Sequence, residues 1–370
     1  MVMLVWLAVS IPVRAQEEID WSSYDFSIIE EELAELKDGE AYYGDMLRFD
    51  SFKDLAKQIF SGDVQLGVGE LLRTLMNLIL GELREQWRLI LELAVILVFS
   101  GMLKALDLSF GNSQVEQIAF YVLFGTAVTL LFQSFYNVYL LAAKTGEHTL
   151  GILICLVPVL AAIKAGAGAG VSAGIQSGFL LSGIQVASWL VQTVFFTGIL
   201  LFVVLACLNQ LTGQNLMKRI TNLAKTLVQK GIKVVRAAFL FLMSWQGITA
   251  GAADGWMKKS LMSAAGAVPV VGDAISGAVD TILAGAAAVG KCVGSGGMII
   301  LVCTCMIPLA KLMAMWLLYK VTGALLSPIA DHKLTDLLEV AGDGVGMLLG
   351  VLLVLMGMFV CGVGIFLRGL

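Results

Sequence analysis

The sequence predicts an all-α protein: a multi-pass transmembrane helical bundle with amphipathic interfacial helices and an acidic extracytoplasmic N-terminal region. Three observations predict it. Residues 89–106, 118–143, 150–163, 179–211, 237–253, 298–321 and 345–367 are apolar runs separated by short polar breaks, and a helix needs about 20 apolar residues to cross the hydrocarbon core. Hydrophobic residues make up 58 % of the chain and charged residues 14 %, with a mean hydropathy of +0.88, where a soluble domain carries about 25 % charge. The charges are also segregated. Residues 16–92 hold 18 acidic and 7 basic residues, a net of −11 in a chain whose total is −4. An acidic N-terminal region before a basic remainder suits an N-terminus outside and basic loops in the cytoplasm.

Residues 1–15 read as a signal peptide. Residues 1–9 are apolar, and Val13-Arg14-Ala15 fits a small-x-small cleavage site before Gln16. Residues 16–88 form the acidic and amphipathic extracytoplasmic region. Its first part is polar, with Glu30, Glu31, Glu32 and Glu35 clustered, the composition of a loosely structured arm. From Phe52 the pattern turns helical, with Phe52, Leu55, Ile59 and Phe60 on one face. After Gly62, Leu72, Leu75, Met76, Ile79, Leu83, Trp87 and Ile90 recur every three or four positions, while Glu70, Arg73, Glu82, Arg84 and Glu85 avoid that stripe. This amphipathic stretch leads into the first span. Its apolar face suits docking on a partner or lying along the outer interface.

Residues 89–370 form the membrane domain, with about seven or eight spans expected from the apolar runs. Residues 179–211 exceed one ordinary span, so they form either a tilted helix or two spans meeting near Gln192. Two crossings keep the basic segment that follows in the cytoplasm, as the positive-inside rule prefers. That segment, residues 215–236, predicts a basic amphipathic helix. Leu216, Ile220, Leu223, Leu227, Val234 and Val235 share one side, and Lys218, Lys225, Lys233 and Arg236 gather opposite. Such a helix suits the inner membrane surface, against anionic lipid or an acidic partner, or serves as a connecting helix. Residues 254–297 are rich in Gly and Ala and contain Pro269. They predict a re-entrant or broken helix, tolerated at membrane depth only where buried in protein or lining a wet cavity.

Few residues offer chemistry. Gly166, Gly170, Gly174 and Gly178 recur every fourth residue, as do Gly342, Gly346 and Gly350. On helices these stripes let another backbone approach closely, within the chain or in a partner. Asp273 and Asp280 are seven apart and share a helix face; with Lys311 they are the candidate functional polar residues of the membrane domain, and Glu92, Lys164 and Lys320 are further ionisable groups there. A stand-alone ion-coupled transporter would use the Asp pair near a broken helix. The six cysteines lie in apolar or Gly/Ala-rich sequence and read as packing residues. His148 and His332 are far apart, each near a loop. No nucleophile arrangement or phosphate-cradling loop is legible. The expectation is a protein without catalytic, metal or cofactor-binding residues and without a nucleic-acid partner.

The segment AAGAVPVVGDAISGAVDTILAG at residues 264–285 resembles the most recognisable block of the stage III sporulation protein AE family, through Pro269-Val270-Val271-Gly272 and the following Ser276, Asp280 and Thr281. ALLSPIAD at 324–331 is also similar, followed by residues 336–338 and Gly342. Upstream, Phe52-Lys53-Asp54-Leu55, Gly62 and the run to Glu82 look like that family's lead-in, and FLFLMSWQGITAG at 239–251 is similar too. The resemblance covers roughly residues 50–370. It implies a non-enzymatic membrane component of the secretion-like channel apparatus linking mother cell and forespore, in the mother-cell membrane around the forespore. It further implies as partners membrane lipid and other stage III proteins: an operon-encoded ATPase, small membrane subunits and ring-forming bitopic proteins. Copies of the chain itself are a further expected partner.

Overall fold

The computed structural model describes residues 51–61, 68–110, 113–212, 219–239 and 272–367, together with Glu30 and Phe241. The signal-peptide segment, nearly all of the acidic arm, Lys218 and residues 254–271 of the Gly/Ala-rich segment lie outside the described residues. All regular structure among the described residues is helical. In chain order the helices are α1 (Phe52–Ser61), α2 (Val68–Glu85), α3 (Trp87–Phe110), α4 (Ser113–Gly166), α5 (Gly170–Trp189), a π-helical segment (Leu190–Phe196), α6 (Thr197–Thr212), α7 (219–239), α8 (Gly272–Leu326) and α9 (His332–Leu367). Among the described residues, four stretches are long and apolar enough to cross a membrane: Ile118–Gly166, Gly170–Gln210, Ala287–Leu326 and His332–Gly364.

The helices are longer and less interrupted than the apolar runs suggest. The runs at 118–143 and 150–163 belong to one 54-residue helix, α4. The intervening Lys-Thr-Gly-Glu-His-Thr is polar, and its single glycine does not end the helix. Lys144 and Glu147 stay exposed, and the Thr145 and Thr149 hydroxyls donate to the carbonyls of Leu141 and Thr145 at 2.8 and 2.7 Å. At 1.5 Å per residue, α4 is about 80 Å long if straight. That exceeds the roughly 30 Å of hydrocarbon, so hydropathy breaks and chain breaks need not coincide. Gly168, at φ 83°, takes the left-handed conformation that turns the chain from α4 into α5.

Residues 170–212 form one continuous helical path rather than two helices meeting at a loop. At Gln192 the path widens into the π-helical segment. The wider turn rotates the following side chains, so the consecutive Phe195 and Phe196 are both buried but against different neighbours. Phe195 packs at Gly231 of α7, and Phe196 at Gly146 of α4, edge-on to Tyr139 with ring centroids 5.8 Å apart.

The core centres on α8. Within its apolar window 83 % of residues are buried, against 39 % for α5–α6. A helix apolar all round belongs in the middle of a bundle, and α8 packs against α9, α4, α2, α1 and α3. The Gly/Ala-rich sequence does not break or re-enter from Gly272 onward, where it is continuous helix. Its glycines serve close approach instead. A Cβ at Gly294 would fall 2.5 Å from Leu367 of α9, one at Gly297 2.4 Å from Leu156 of α4, and one at Gly296 3.4 Å from Phe52 of α1. Helices in lipid gain little from burying apolar area against each other, so close packing of this kind holds them together.

The amphipathic lead-in docks within the chain. Phe52, Leu55 and Ala56 of α1 are buried in the main core, with Ile59 packed beside them. On α2, Ile79 is buried against Ala310 and Ala314 of α8, flanked by Leu75 and Leu83, while Met76 and, at the start of α3, Trp87 of the same stripe remain exposed.

Candidate functional site

Two polar centres tie the apolar helices together, and each draws on several distant stretches of sequence. The first surrounds Asp343 on α9. Its carboxylate accepts from Lys225 of α7 and, at 2.8 Å, from Lys320 of α8. Lys320 also approaches Glu339, one turn earlier on α9, at 3.9 Å. Gly342 makes this reach possible. A Cβ there would lie 3.3–3.4 Å from the Lys320 methylenes, which cross the α9 backbone at that point. Two cations and two carboxylates thereby join three helices, and Lys225 also lies over the Phe202 ring of α6, 5.9 Å from its centroid.

Asp343→Asn should leave both lysines without their shared countercharge. Removing one member of a fully buried pair costs about 3–5 kcal/mol. The side chains of Lys225, Lys320 and Asp343 retain 34, 32 and 24 % exposure, so the expected loss is about 2 kcal/mol after screening. It should appear as a lower thermal midpoint of the detergent-solubilised protein, and an unchanged midpoint would remove the centre's structural role.

The second centre is fully inside the bundle. Lys164, with 0 % exposure, donates to Gln176 Oε1 of α5 at 2.6 Å and to the Phe366 carbonyl of α9 at 3.0 Å. Its amine also sits 4.7 Å from the centroid of the Phe366 ring. Phe366 lies in the last turn of α9, where backbone carbonyls lack helical donors. A cation there is favoured by the helix dipole as well. Lys164 therefore pins the end of α9 to the α4–α5 turn.

A third junction involves the predicted ALLSPIAD motif. Asp331 N-caps α9, its Oδ1 accepting from the Lys333 amide at 2.8 Å. The Asp331 amide reaches Ser100 Oγ of α3 at 3.3 Å, and the Ile329 carbonyl lies against Gly101. The motif is thus the fitted corner between α8 and α9.

The sequence-predicted residues distribute unevenly over this picture. Of the basic set, Lys225 turns inward to Asp343, whereas Lys233 and Arg236 are exposed on α7. The stripe of Ile220, Leu223, Leu227 and Val234 is exposed as well, and the face that packs on the bundle carries Thr221, Val228, Ile232 and Phe239. Lys311 is half-buried beside a cavity of about 110 Å³ that Asn77, Glu82 and Glu85 of α2 also line. Asp273 and Asp280 fall in the first turns of α8; their side chains lie outside the described residues. Gly346 sits under Trp316, whose ring would be 3.1 Å from a Cβ, while Gly350 has open space.

Gly166, Gly170, Gly174 and Gly178 are all exposed, with nothing within 4 Å of a Cβ at any of them. They do not pack the described part of this chain. Gly174→Ala should therefore leave the purified protein as stable, or up to about 1 kcal/mol more stable through helix propensity, read as its thermal midpoint. A marked drop would show that a neighbour occupies this face.

Sequence reading singled out neither Asp343 nor Gln176. Asp343 does carry a signal: it follows Glu339 by one turn at the polar start of the last apolar run and is flanked by Gly342 and Gly344. Its two lysine partners are 118 and 23 residues away, and only the fold brings them together.

Comparison with known proteins bears on residues 50–368, which match the family model described as Stage III sporulation protein AE. The chain is also similar to Stage III sporulation protein AE of Bacillus subtilis (strain 168), 24 % identical over 318 residues, covering 86 % of this chain and 79 % of that protein. No solved structure matches. The matched region runs from just before α1 to the end of α9 and so takes in the whole bundle with its polar centres. This apolar helical protein belongs to the stage III sporulation protein AE family and is a membrane protein of sporulation.

Proposed function

We propose that the chain is a non-catalytic core subunit of a secretion-like channel complex that joins mother cell and forespore. In this reading it resides in the mother-cell membrane around the forespore, with its acidic N-terminal arm in the intermembrane space. It helps to form or organise a membrane conduit together with the operon-encoded ATPase, small membrane subunits and ring-forming bitopic proteins. The observation that carries the reading is the family match over the entire bundle. The physical character of the bundle supports it: its polar centres each join several apolar helices into one unit. Purification of the tagged chain from sporulating cells in mild detergent, with identification of what accompanies it, is the test. Recovery of other stage III proteins is expected. A homo-oligomer recovered without them would overturn the reading in favour of a stand-alone transporter.

A further inference from the structure

Helix α7 lies lengthwise along the bundle. Val228 meets Gly198, Phe195 meets Gly231, and Phe239 meets both Gly183 and Gly362. Ile232 and Val235 pack among Val191, Phe195, Val351, Val354, Leu355 and Met358. With Lys225 at Asp343, α7 runs antiparallel to the α5–α6 path and parallel to α9. The rise from 225 to 239 is about 21 Å, most of the roughly 30 Å hydrocarbon thickness. Both neighbouring segments belong to stretches apolar enough to span a membrane. Its packing thus sets the helix alongside apolar segments of membrane length, the position of a helix at membrane depth.

Three faces of α7 follow from its exposure. One packs on the bundle, and one is the exposed apolar stripe of Ile220, Leu223, Leu227 and Val234. The third is an unbroken exposed polar row: Asn222, Thr226, Gln229, Lys230, Lys233 and Arg236. Lys230, Lys233 and Arg236 sit level with the middle of the apolar segments of α5–α6 and α9. Cations at that depth are costly in lipid, and in membrane proteins they face the bundle interior or a water-filled cavity. Here they face outward from a single chain.

We propose that this row lines a water-filled passage at membrane depth, completed by neighbouring chains, whose occupant is water carrying small or multivalent anions. The neutral residues that lead into the cations, Asn222, Thr226 and Gln229, suit a wetted wall better than an ion-paired seam, and rows of Lys and Arg favour anions in pores. The inference rests on the channel-subunit reading above and identifies the wall of the conduit and the charge of what passes.

The test places single cysteines at Lys230, Lys233 and Arg236, and at Leu223 and Leu227 on the apolar stripe, in the otherwise native protein. Membranes from sporulating cells, opened to expose both faces, are treated with membrane-impermeant anionic and cationic methanethiosulfonates. The unsubstituted protein gives the background from its own cysteines. We expect the three basic-row positions to react roughly tenfold or more faster than the two stripe positions, with the anionic reagent preferred through the local positive potential. Cysteines at Thr226 and Gln229 probe the same face without removing charge, should a charge-removing variant fail to accumulate. Basic-row positions no faster than the stripe, or reactive only after detergent extraction, would overturn the proposal, because lipid or protein would then cover the row. If labelling fails while stage III proteins still co-purify, this inference alone falls. If labelling succeeds without co-purification, the complex reading falls and the passage is completed by further copies of this chain.

Discussion

Replacing Gly101 with alanine unseats the α8–α9 corner from α3. A Cβ at this position would lie 2.1 Å from the Ile329 carbonyl oxygen and 3.0 Å from its carbon. Both are backbone atoms, so no side-chain rotation relieves the clash, and α3 or the corner must move. Overpacking of a close-fitted site costs about 1–3 kcal/mol and sometimes more. We expect the upper end here, about 3 kcal/mol, because the shift also removes the Ser100–Asp331 contact that steadies the N-cap of α9. The measurement is the thermal midpoint of the solubilised protein, with Gly125→Ala of α4 as control; a Cβ at Gly125 meets nothing within 4 Å. Equal midpoints for the two variants would show that the corner does not press on α3.

The second large effect is expected at Lys164. Lys164→Met keeps most of the side-chain volume but removes the amine from a site without water access. Gln176 Oε1 and the Phe366 carbonyl each lose a charge-assisted donor. Leaving buried acceptors unsatisfied costs about 1–3 kcal/mol each, so a total loss of about 3 kcal/mol is expected, concentrated where α9 ends. The double variant Lys164→Met/Gln176→Leu removes one orphaned acceptor together with its donor and should recover part of that loss, since taking away both partners is cheaper than taking away one. A double variant that loses as much as the sum of the two single changes would mean the residues act independently.

Both sites show how much a linear reading can reach. The ALLSPIAD motif was legible at 324–331, as was the polar interruption it occupies; that its Ile329 carbonyl rests on Gly101 was not, because the two are 228 residues apart. Lys164 stood out as an ionisable residue in an apolar setting. Its partner Gln176 is only 12 residues on, beyond the turn at Gly168, yet its other acceptor is a backbone carbonyl that no side-chain pattern records. The glycine stripes looked alike in sequence and proved different in place. Gly342 and Gly346 admit Lys320 and Trp316 from α8, while Gly170, Gly174 and Gly178 face outward. Spacing identifies a flat face on a helix but not what covers it.

The sequence by itself determined the solvent and the class of fold. Apolar runs of bilayer length, scarce charge and an acidic beginning leave no economical alternative to a helical membrane bundle, because unpaired backbone groups are intolerable in hydrocarbon. It also marked Lys164 as a charge in apolar surroundings. Only the tertiary structure decided how far each helix continues, which glycines admit a neighbour, and that Lys225, Lys320 and Asp343 meet. Hydropathy averages do not register helix continuity, and single breakers do not end these helices: α4 runs on through Pro158 and α8 through Pro308. A charge centre depends on the azimuth of each helix and its level against the others, which three-dimensional packing sets and periodicity within one helix leaves free.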